Sequence, residues 1–489
     1  MTERPQFLIV VFDGLRLDMV SAERMPNLHR FMKEGVSFPH SRSVFPASTR
    51  TNAAALATGA TPRRNGIMHN MYYDPNVFRD RMFRPNSATD IAAGMAAYSG
   101  ALLDTPGLAD VVTSAGLKVA TLFGGSCGTA RLTDPRAPER GAINLGMIGW
   151  ENACPAPFVA ELAREFGPLP QSGRPDVEVS RVLTDMVVGA VLPRQRPDIT
   201  IVWFTDPDQT HHYLGVARPE MATALASVDR QFGRLLAWRS QAGLDERMQV
   251  IAMSDHGHLN TKERIDVNGA AGQAGLVIGD HLGNEIDYAG YTSYCGAIKV
   301  RDRDPARMTA MVEWLARQPW CGMIFTAGGN GTEGGVAGTI DHAAVLIDHP
   351  RAPDIYFIMR NDDAVYGDGV VGSCYYNGRY PAGGGTHGGL HRKELQTVLA
   401  AQGSHFRKEW VSPFPAGIID VAPTVLHLLG LAKPTRADGR VLAEALAAHT
   451  GSLPQPEKGA LSVRHAGGLQ RLEYSRVGTT TYLDAGWVE

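Results

Sequence analysis

The chain has 489 residues, with 47 Lys and Arg against 50 Asp and Glu, which gives a formal net charge of −3. This length exceeds what one hydrophobic core usually organises, so we expect one large domain with an insertion, or two domains. The balanced charge excludes a basic stripe for a nucleic-acid polymer and a patch for a membrane surface, and no apolar run approaches the roughly 20 residues of a membrane helix. The five scattered cysteines indicate free thiols in a reducing compartment, and the N-terminal apolar run is too short for a signal peptide, so we expect a cytoplasmic protein.

Strands and helices are predicted to alternate through the first half of the chain. The first is a continuous apolar run that ends at Asp13 and Gly14, as expected of a parallel strand buried on both faces. In chain order the predictions are strand 7–12, helix 26–32, an alanine-rich helix that ends at Gly59, helix 108–114, strand 118–123, helix 180–192, strand 199–204, a long helix from Pro219 and strand 249–253. This alternation predicts a doubly wound α/β fold with a mostly parallel sheet flanked by helices.

The second half changes character after His256. About 130 residues separate His256 from His387, a span near the size of a small domain. The predictions there are strand 296–300, helix 305–317 and strands 343–347 and 354–359. We therefore predict a core formed by residues 1–258 and 383–450, a smaller α+β cap formed by 259–382, and a tail at 451–489 that forms a hairpin or contacts another subunit.

Acidic and histidine side chains collect where predicted strands end. In open α/β sheets that edge is where ligands bind. Aspartate and histidine without cysteine are the ligands of hydrolytic zinc or manganese sites rather than of structural zinc. The residues that follow these strands or a glycine-rich turn are Asp13, Asp206, Asp208, His211, His212, Asp255, His256 and His387.

A hydroxyl-rich turn precedes the alanine-rich helix. Ser48, Thr49 and Thr51 lie at its predicted N-terminus. Backbone N–H groups and the helix dipole at such a position can hold a phosphate. The alternative interpretation is an ordinary Ser or Thr N-cap, and the turn by itself does not distinguish the two.

Five motifs in family order give the chain a resemblance to the alkaline phosphatase superfamily. Asp13-Gly14, Asp255-His256-Gly257, Thr386-His387-Gly388 and Asp420-Val421-Ala422-Pro423-Thr424 resemble the superfamily, and 12–18 and 58–59 with 65–70 resemble its type I phosphodiesterase/nucleotide pyrophosphatase branch. The resemblance spans residues 7–256 and 383–440. It implies an alkaline phosphatase-like core.

The resemblance also implies two divalent metal ions, usually zinc, although aspartate and histidine also accept manganese or iron. One ion would be held by Asp13, Thr49, Asp255 and His256, and the other by Asp208, His212 and His387. Thr49 would be the catalytic nucleophile, Asn52 would contact a phosphoryl oxygen, and Arg50 would bind a charged part of the substrate.

By resemblance, the expected function is hydrolysis of phosphodiester or nucleotide pyrophosphate bonds in a small-molecule phosphoester or nucleotide, through a phosphorylated Thr49. We expect no membrane or nucleic-acid polymer as partner, and the tail suggests a homo-oligomer. The chain has Arg50-Thr51-Asn52 where nucleotide pyrophosphatases usually have Phe-Pro-Asn. Hydrolysis of a phosphonate such as phosphonoacetate, or of a phosphomonoester, is therefore the alternative. A non-catalytic phosphate-binding protein is the third hypothesis.

Several residues compete with these assignments. Ser48 and Thr51 are alternative nucleophiles, and Asp206 and His211 are alternative ligands. The spacing of four residues favours Asp208 with His212. The polar residues expected to have structural roles or, at most, to support the metal ligands from behind are Asp18, His40, His69, His258 and His391.

Overall fold

The first predicted strand is present as Gln6–Phe12 (β1), and every one of its residues is buried. The computed structural model describes residues 4–367, 369–453 and 455–489. As far as residue 253, β1 is followed by β2 Val36–Ser37, β3 Ser41–Arg42, β4 Val119–Phe123, β5 Ile143–Gly146, β6 Ile199–Phe204 and β7 Met248–Met253. The helices of this segment are α1 Pro26–Glu34, α2 Thr49–Thr58, α3 Pro62–Asn65, α4 Ala88–Ala97, α5 Leu108–Ser114, α6 Cys127–Arg131, α7 Ala137–Arg140, α8 Ala156–Phe166, α9 Val177–Met186, α10 Asp208–Leu214 and α11 Glu220–Gln241.

The rest of the chain is richer in strands than in helices. Its strands are β8 Leu259–Arg264, β9 Ile278–Gly279, β10 Tyr288–Thr292, β11 Cys295–Val300, β12 Cys321–Thr326, β13 Ile340–Asp341, β14 Ile355–Met359, β15 Asn361–Tyr366, β16 Val370–Tyr376, β17 Gly385–Thr386, β18 Leu399–Gln402, β19 Trp410–Val411, β20 Ala416–Gly417, β21 Glu457–His465, β22 Gly468–Val477 and β23 Thr480–Val488. Its helices are α12 Val267–Gln273, α13 Pro305–Ala316, α14 Arg392–Leu395 and α15 Val421–Leu428.

A large, mostly parallel sheet forms the centre of the molecule. Its order among the described residues is β19-β2-β18-β7-β1-β6-β4-β5, and β1 pairs in parallel with both β6 and β7. Successive residues of β1 face opposite sides of the sheet. Ile9 packs in a cluster that includes the alanines of α2, whereas Leu8 packs with Phe232 of α11. The predicted α/β fold, with helices on both faces of a mostly parallel sheet, is confirmed.

Two smaller sheets lie between β7 and β18 in the chain. One has the order β13-β12-β14-β11-β10-β9, and the other has the order β15-β16-β8-β17. The prediction of a strand at 343–347 is wrong. His342–Val345 is a 3₁₀ turn, and Leu346 after it has a left-handed backbone with φ 61°. Val345 and Ile347 are nevertheless fully buried, so this apolar run reflects burial and not an extended conformation.

The C-terminal strands β21, β22 and β23 form an antiparallel sheet of their own. Tyr482 of β23 is buried and its hydroxyl donates to Asp420 at 2.8 Å, which ties this sheet to the core. None of the described helices is both long and apolar enough to cross a membrane. All five cysteines are buried and unpaired.

Candidate functional site

Three neighbouring parallel strands bring three aspartates to one edge of the central sheet. Strand β1 lies between β7 and β6. Asp13 directly follows β1, Asp255 comes two residues after β7, and Asp208 begins helix α10 after β6. Because the carboxyl ends of parallel strands meet at the same edge, residues distant in sequence share one site.

Helix α2 carries Thr49 to this edge. Thr49 is the first residue of α2, after the extended Ser48, and the alanines that follow favour a helix. The Thr49 hydroxyl donates to Asp13 Oδ1 at 3.4 Å and lies 3.3 Å from His256 Nε2. The helix therefore presents a hydroxyl to the cluster of aspartates and histidines.

The two alternative nucleophiles do not face the cluster. Ser48 Oγ and Thr51 Oγ1 lie 2.9 Å apart, and the Thr51 hydroxyl is also 2.6 Å from the carbonyl oxygen of Pro46. Both residues are completely buried in this local network. Among the three hydroxyls of the turn, only that of Thr49 contacts an acidic residue of the site.

Asp13, Asp255 and His256 converge on Thr49 as a first group. His256 Nε2 lies 3.2 Å from Asp255 Oδ2 and 3.5 Å from Asp13 Oδ1. Asp255 Oδ1 accepts from the backbone N–H groups of Gly14 and His256, each at 3.0 Å. Asp255 Oδ2 is buried and has no hydrogen-bond donor among the described residues. A buried carboxylate oxygen without a donor fits a cation.

Asp208, His212 and His387 form the second group. Asp208 Oδ1 lies 3.4 Å from His212 Nε2 and 3.5 Å from His387 Nε2. It also lies 2.6 Å from Nε2 of His258, for which the sequence predicted a structural role or, at most, a supporting role behind the metal ligands. The ligand atoms of these four residues lie within 4.8 Å of one another, and those of Asp13, Asp208 and His256 do so as well.

Backbone carbonyls fix the protonation of the predicted histidine ligands. The Nδ1 atoms of His256, His212 and His387 lie 3.0, 2.9 and 2.8 Å from the carbonyl oxygens of Gly257, Gly385 and Ala47. A carbonyl oxygen only accepts, so each Nδ1 carries the hydrogen and each Nε2 presents a lone pair. Metal-binding histidines usually have this arrangement.

The charges of the cluster also fit a cation. Burial, together with the nearby Asp255 and Asp208, raises the pKa of Asp13 well above its usual value. Burial raises the pKa of Asp255 as well. Aspartate and histidine donors in such a buried cluster suit a divalent metal.

The side chain of Asn52 is hydrogen-bonded outside this cluster. Its Oδ1 accepts from Ser43 Oγ at 3.1 Å and from the Val44 N–H at 3.2 Å, and its Nδ2 donates to the carbonyl of Ser48 at 3.0 Å. The side chain is completely buried. These bonds give Asn52 the role of joining α2 to the segment before it, and they do not favour the predicted contact with a phosphoryl oxygen.

Asn70 is an amide beside Thr49 that the sequence analysis missed. Its Oδ1 accepts from the backbone N–H of Arg50, the residue after Thr49, at 3.0 Å. Its Nδ2 makes no hydrogen bond to another described residue, so two N–H donors stay available near Thr49. The only sequence signal was the position of Asn70 at the end of the 65–70 motif.

The remaining alternatives have partners of their own. Asp206 accepts from Asp176 N–H at 2.6 Å and from Thr210, which leaves Asp208 as the aspartate that faces the histidines. Asp18 pairs with Arg16 and Lys393. The other histidines lie outside the two groups: His40 and His391 line a separate groove, His69 packs against tyrosines, and His211 packs against His258.

Two tyrosines from the segment between β8 and β17 pack on the second group. Tyr380 stacks on His212 with ring centroids 4.1 Å apart, and Tyr294 stacks on His387 at 5.0 Å. Tyr213 packs edge-on against Tyr380, and the Arg174 guanidinium lies 3.3 Å from the Tyr213 ring centroid. Aromatic rings and one guanidinium therefore lie beside the second group.

The mostly parallel central sheet, the order of the motifs and the Asp/His cluster at its carboxyl edge fit the alkaline phosphatase superfamily. The chain belongs to the type I phosphodiesterase/nucleotide pyrophosphatase family, whose family model matches residues 7–366. The resemblance noted from the motifs is confirmed.

Individual relatives are distant. The chain is 24% identical to venom phosphodiesterase 2 of Crotalus adamanteus over 258 residues. This alignment covers 52% of this chain and 27% of the relative. The chain is 22% identical to human ectonucleotide pyrophosphatase/phosphodiesterase family member 5 over 261 residues. That alignment covers 53% of this chain and 46% of the relative. The chain thus spans about a quarter to a half of the length of these curated relatives.

A solved structure shares the fold. Murine ectonucleotide pyrophosphatase/phosphodiesterase 5, as an inactive variant in complex with AMP, superposes with a TM-score of 0.59 at 18% identity. The match covers 88% of this chain and 96% of that one.

Proposed function

We propose that the protein is a metal-dependent phosphohydrolase that cleaves phosphodiester or nucleotide pyrophosphate bonds, with Thr49 as the nucleophile. The observation that carries this proposal is the position of the Thr49 hydroxyl, 3.4 Å from Asp13 Oδ1 and 3.3 Å from His256 Nε2. A threonine hydroxyl is a weak nucleophile unless its surroundings favour the alkoxide.

Two divalent ions fit the two groups of side chains. Asp13, Thr49, Asp255 and His256 would hold one ion, and Asp208, His212 and His387 would hold the other. The donor set favours zinc, with manganese or iron as alternatives. When bound, the ions supply positive charge that lowers the pKa of a coordinated hydroxyl and stabilises charge on phosphoryl oxygens.

The chain itself orients and binds the reacting group. The positive end of the α2 dipole lies at Thr49 and would stabilise the negative charge of a phosphoryl group there, although the Arg50 N–H of this turn is already donated to Asn70. The two free N–H donors of Asn70 can bind a non-bridging oxygen. The Thr49 hydroxyl loses its proton to solvent and its Oγ forms a bond to phosphorus as the bond to the leaving oxygen breaks, and the leaving oxygen takes up a proton from solvent. Water then cleaves the phosphothreonine and releases the phosphoryl product.

Two partly exposed tyrosines support a nucleotide-like substrate. Tyr213 and Tyr380 lie close to the second group, where their rings could contact a base. The murine relative is in complex with AMP, and it was made inactive by replacing a threonine with alanine. A relative from Xenopus laevis, 40% identical over 70 residues, is named a bis(5'-adenosyl)-triphosphatase.

The five unpaired cysteines of this chain support a reducing compartment as the location of the protein.

Arg50 and Tyr294 favour a second candidate function, hydrolysis of a phosphonate such as phosphonoacetate. Arg50 Nε is buried without a hydrogen-bond partner among the described residues, and so is the hydroxyl of Tyr294. Burial raises the pKa of Tyr294 well above its usual value, so its hydroxyl stays a donor. Two such donors could bind a second anionic group on the substrate, which a carboxylate of phosphonoacetate would provide.

A substrate panel separates these functions. We would measure hydrolysis of bis-p-nitrophenyl phosphate, p-nitrophenyl thymidine monophosphate, p-nitrophenyl phosphate and phosphonoacetate with metal-stripped protein and after zinc or manganese is restored. The proposal predicts metal-dependent preference for the diesters, with the thymidine compound fastest. Release of phosphate from phosphonoacetate alone would favour the second candidate. Preference for the monoester, or turnover that survives metal removal, would contradict both.

A further inference from the structure

His258 has the shortest polar contact to the second group of side chains. It is completely buried, and its Nε2 lies 2.6 Å from Asp208 Oδ1. The same oxygen faces Nε2 of His212 at 3.4 Å and Nε2 of His387 at 3.5 Å. By composition and proximity alone, His258 could therefore be a fourth metal ligand beside Asp208, His212 and His387.

The hydrogen bonds of the three histidines separate their roles. The Nδ1 atoms of His212 and His387 face backbone carbonyls, which leaves their Nε2 lone pairs for a metal. His258 has the opposite arrangement, because its Nδ1 is buried without a hydrogen-bond partner among the described residues. A carboxylate oxygen only accepts, so the 2.6 Å contact requires the hydrogen on Nε2 of His258.

The surrounding backbone holds the His258 ring in this orientation. A Cβ atom at Gly14 would lie 2.9 Å from His258 Cδ2, and one at Gly385 would lie 3.0 Å from its Nδ1. Both approaches are closer than side-chain contacts normally allow, so the ring fits between two stretches of glycine backbone. The rings of His211 and His212 complete the pocket, with centroids 4.7 and 4.8 Å from that of His258.

We propose that His258 is a positioning residue that donates its Nε2 hydrogen to Asp208 and so holds this carboxylate in place for a metal shared with His212 and His387. This proposal rests on the two-metal site of the proposed function. It leaves that metal with three protein ligands and an open position, as catalytic sites require. Removal of such a supporting donor typically weakens metal affinity about 10–100-fold.

The test compares His258→Met with His258→Gln. Methionine fills the pocket without donating, whereas the glutamine amide nitrogen can reach the position of imidazole Nε2. We would measure zinc per chain and the affinity for the more weakly held ion by chelator competition in buffered free zinc. His258→Met is expected to lose that ion's affinity roughly 10–100-fold, and His258→Gln to stay within a few-fold of the wild type.

His211→Met is the matched control, because His211 packs on His258 but makes no hydrogen bond to Asp208. It should bind both ions as the wild type does. If His258→Met does not fold, His258→Asn replaces it, because that shorter amide cannot reach Asp208 and should lose the ion that His258→Gln keeps.

Three results would overturn the proposal. The first is wild-type affinity for both ions in His258→Met. The second is equal loss in His211→Met, which would mean that packing is responsible. The third is equal loss in His258→Gln with a changed cobalt absorption spectrum, which would make His258 a ligand. Because these readouts do not use turnover, a wild type that binds two ions but hydrolyses no phosphodiester would refute the proposed function alone.

Discussion

His69 shows how burial controls charge near the nucleophile. It is fully buried and stacks on Tyr294 with ring centroids 5.4 Å apart. Burial and the positive charge of Arg50 lower the pKa of His69 from 6.5 to about 3. The unfolded chain therefore takes up a proton near pH 6.5 that the folded chain takes up only near pH 3, and stability is lost as the pH falls through this window.

We expect His69→Phe to remove this pH dependence while keeping an aromatic ring in the stack. Between pH 7.5 and pH 5 the wild type should lose about 2 kcal/mol more free energy of unfolding than the variant. Denaturant unfolding at the two pH values measures the difference. Parallel losses in both proteins would show that His69 is not held neutral by burial.

The two asparagines near Thr49 should have different functions. Asn70→Ala removes the free N–H donors beside the nucleophile, and we expect kcat to fall roughly 10²–10³-fold with stability largely kept. Asn52→Ala breaks three buried hydrogen bonds, so it should instead lower the free energy of unfolding by on the order of 1–3 kcal/mol. Steady-state kinetics and denaturant unfolding of both variants would decide. The reverse pattern would restore Asn52 as the phosphoryl contact.

At the scale of elements, the loop that carries His387 depends on a glycine. Gly388 has φ +118°, and a Cβ atom there would lie 2.1 Å from the Tyr294 ring. Gly388→Ala should therefore displace Tyr294 or His387 and lower the free energy of unfolding by on the order of 1–3 kcal/mol, with weaker zinc binding. Gly383→Ala is the control, because φ is also positive there but no atom lies within 4 Å. Equal effects would mean that backbone strain alone is responsible.

Local sequence patterns predicted the elements that carry the site. Continuous apolar runs are typical of buried parallel strands, and the runs before Asp13 and Asp255 form β1 and β7. Local patterns do not indicate which residues distant in sequence come into contact when the chain folds. Asn70 is 20 positions from Arg50 and His258 is 50 positions from Asp208, so neither contact has a local signal.

The structure of residues 259–382 was predicted less completely for a related reason. The apolar run at 343–347 reads as a strand, but it is buried as a 3₁₀ turn because Leu346 adopts a left-handed backbone. The tyrosines over the site come from the β10–β11 turn and from the segment after β16, and their distance from His212 and His387 depends on how two sheets pack. Hydrophobic periodicity indicates which residues are buried. It does not indicate which element they pack against.

At the scale of the whole molecule, Tyr482 joins the C-terminal sheet to the core. Its hydroxyl donates to Asp420, whose pKa burial raises to about 6, and it accepts from Arg440 at 3.1 Å. Tyr482→Phe should lower the free energy of unfolding by roughly 1–2 kcal/mol, because it leaves a buried carboxylate short of one donor. Tyr474→Phe, in the same sheet and without a hydroxyl hydrogen bond to a described residue, should have little effect. Denaturant unfolding that fails to separate the two variants would show that this contact does not hold the sheet.

The fold places the Thr49 hydroxyl against a buried cluster of aspartates and histidines. The Thr49→Ala variant tests most directly whether this hydroxyl is the nucleophile. Turnover of p-nitrophenyl thymidine monophosphate should be measured at saturating zinc, with bound metal determined in the same samples. We expect kcat to fall by about three orders of magnitude or more, with the ion at Asp208, His212 and His387 retained. Full turnover by a metal-loaded Thr49→Ala variant would contradict the account.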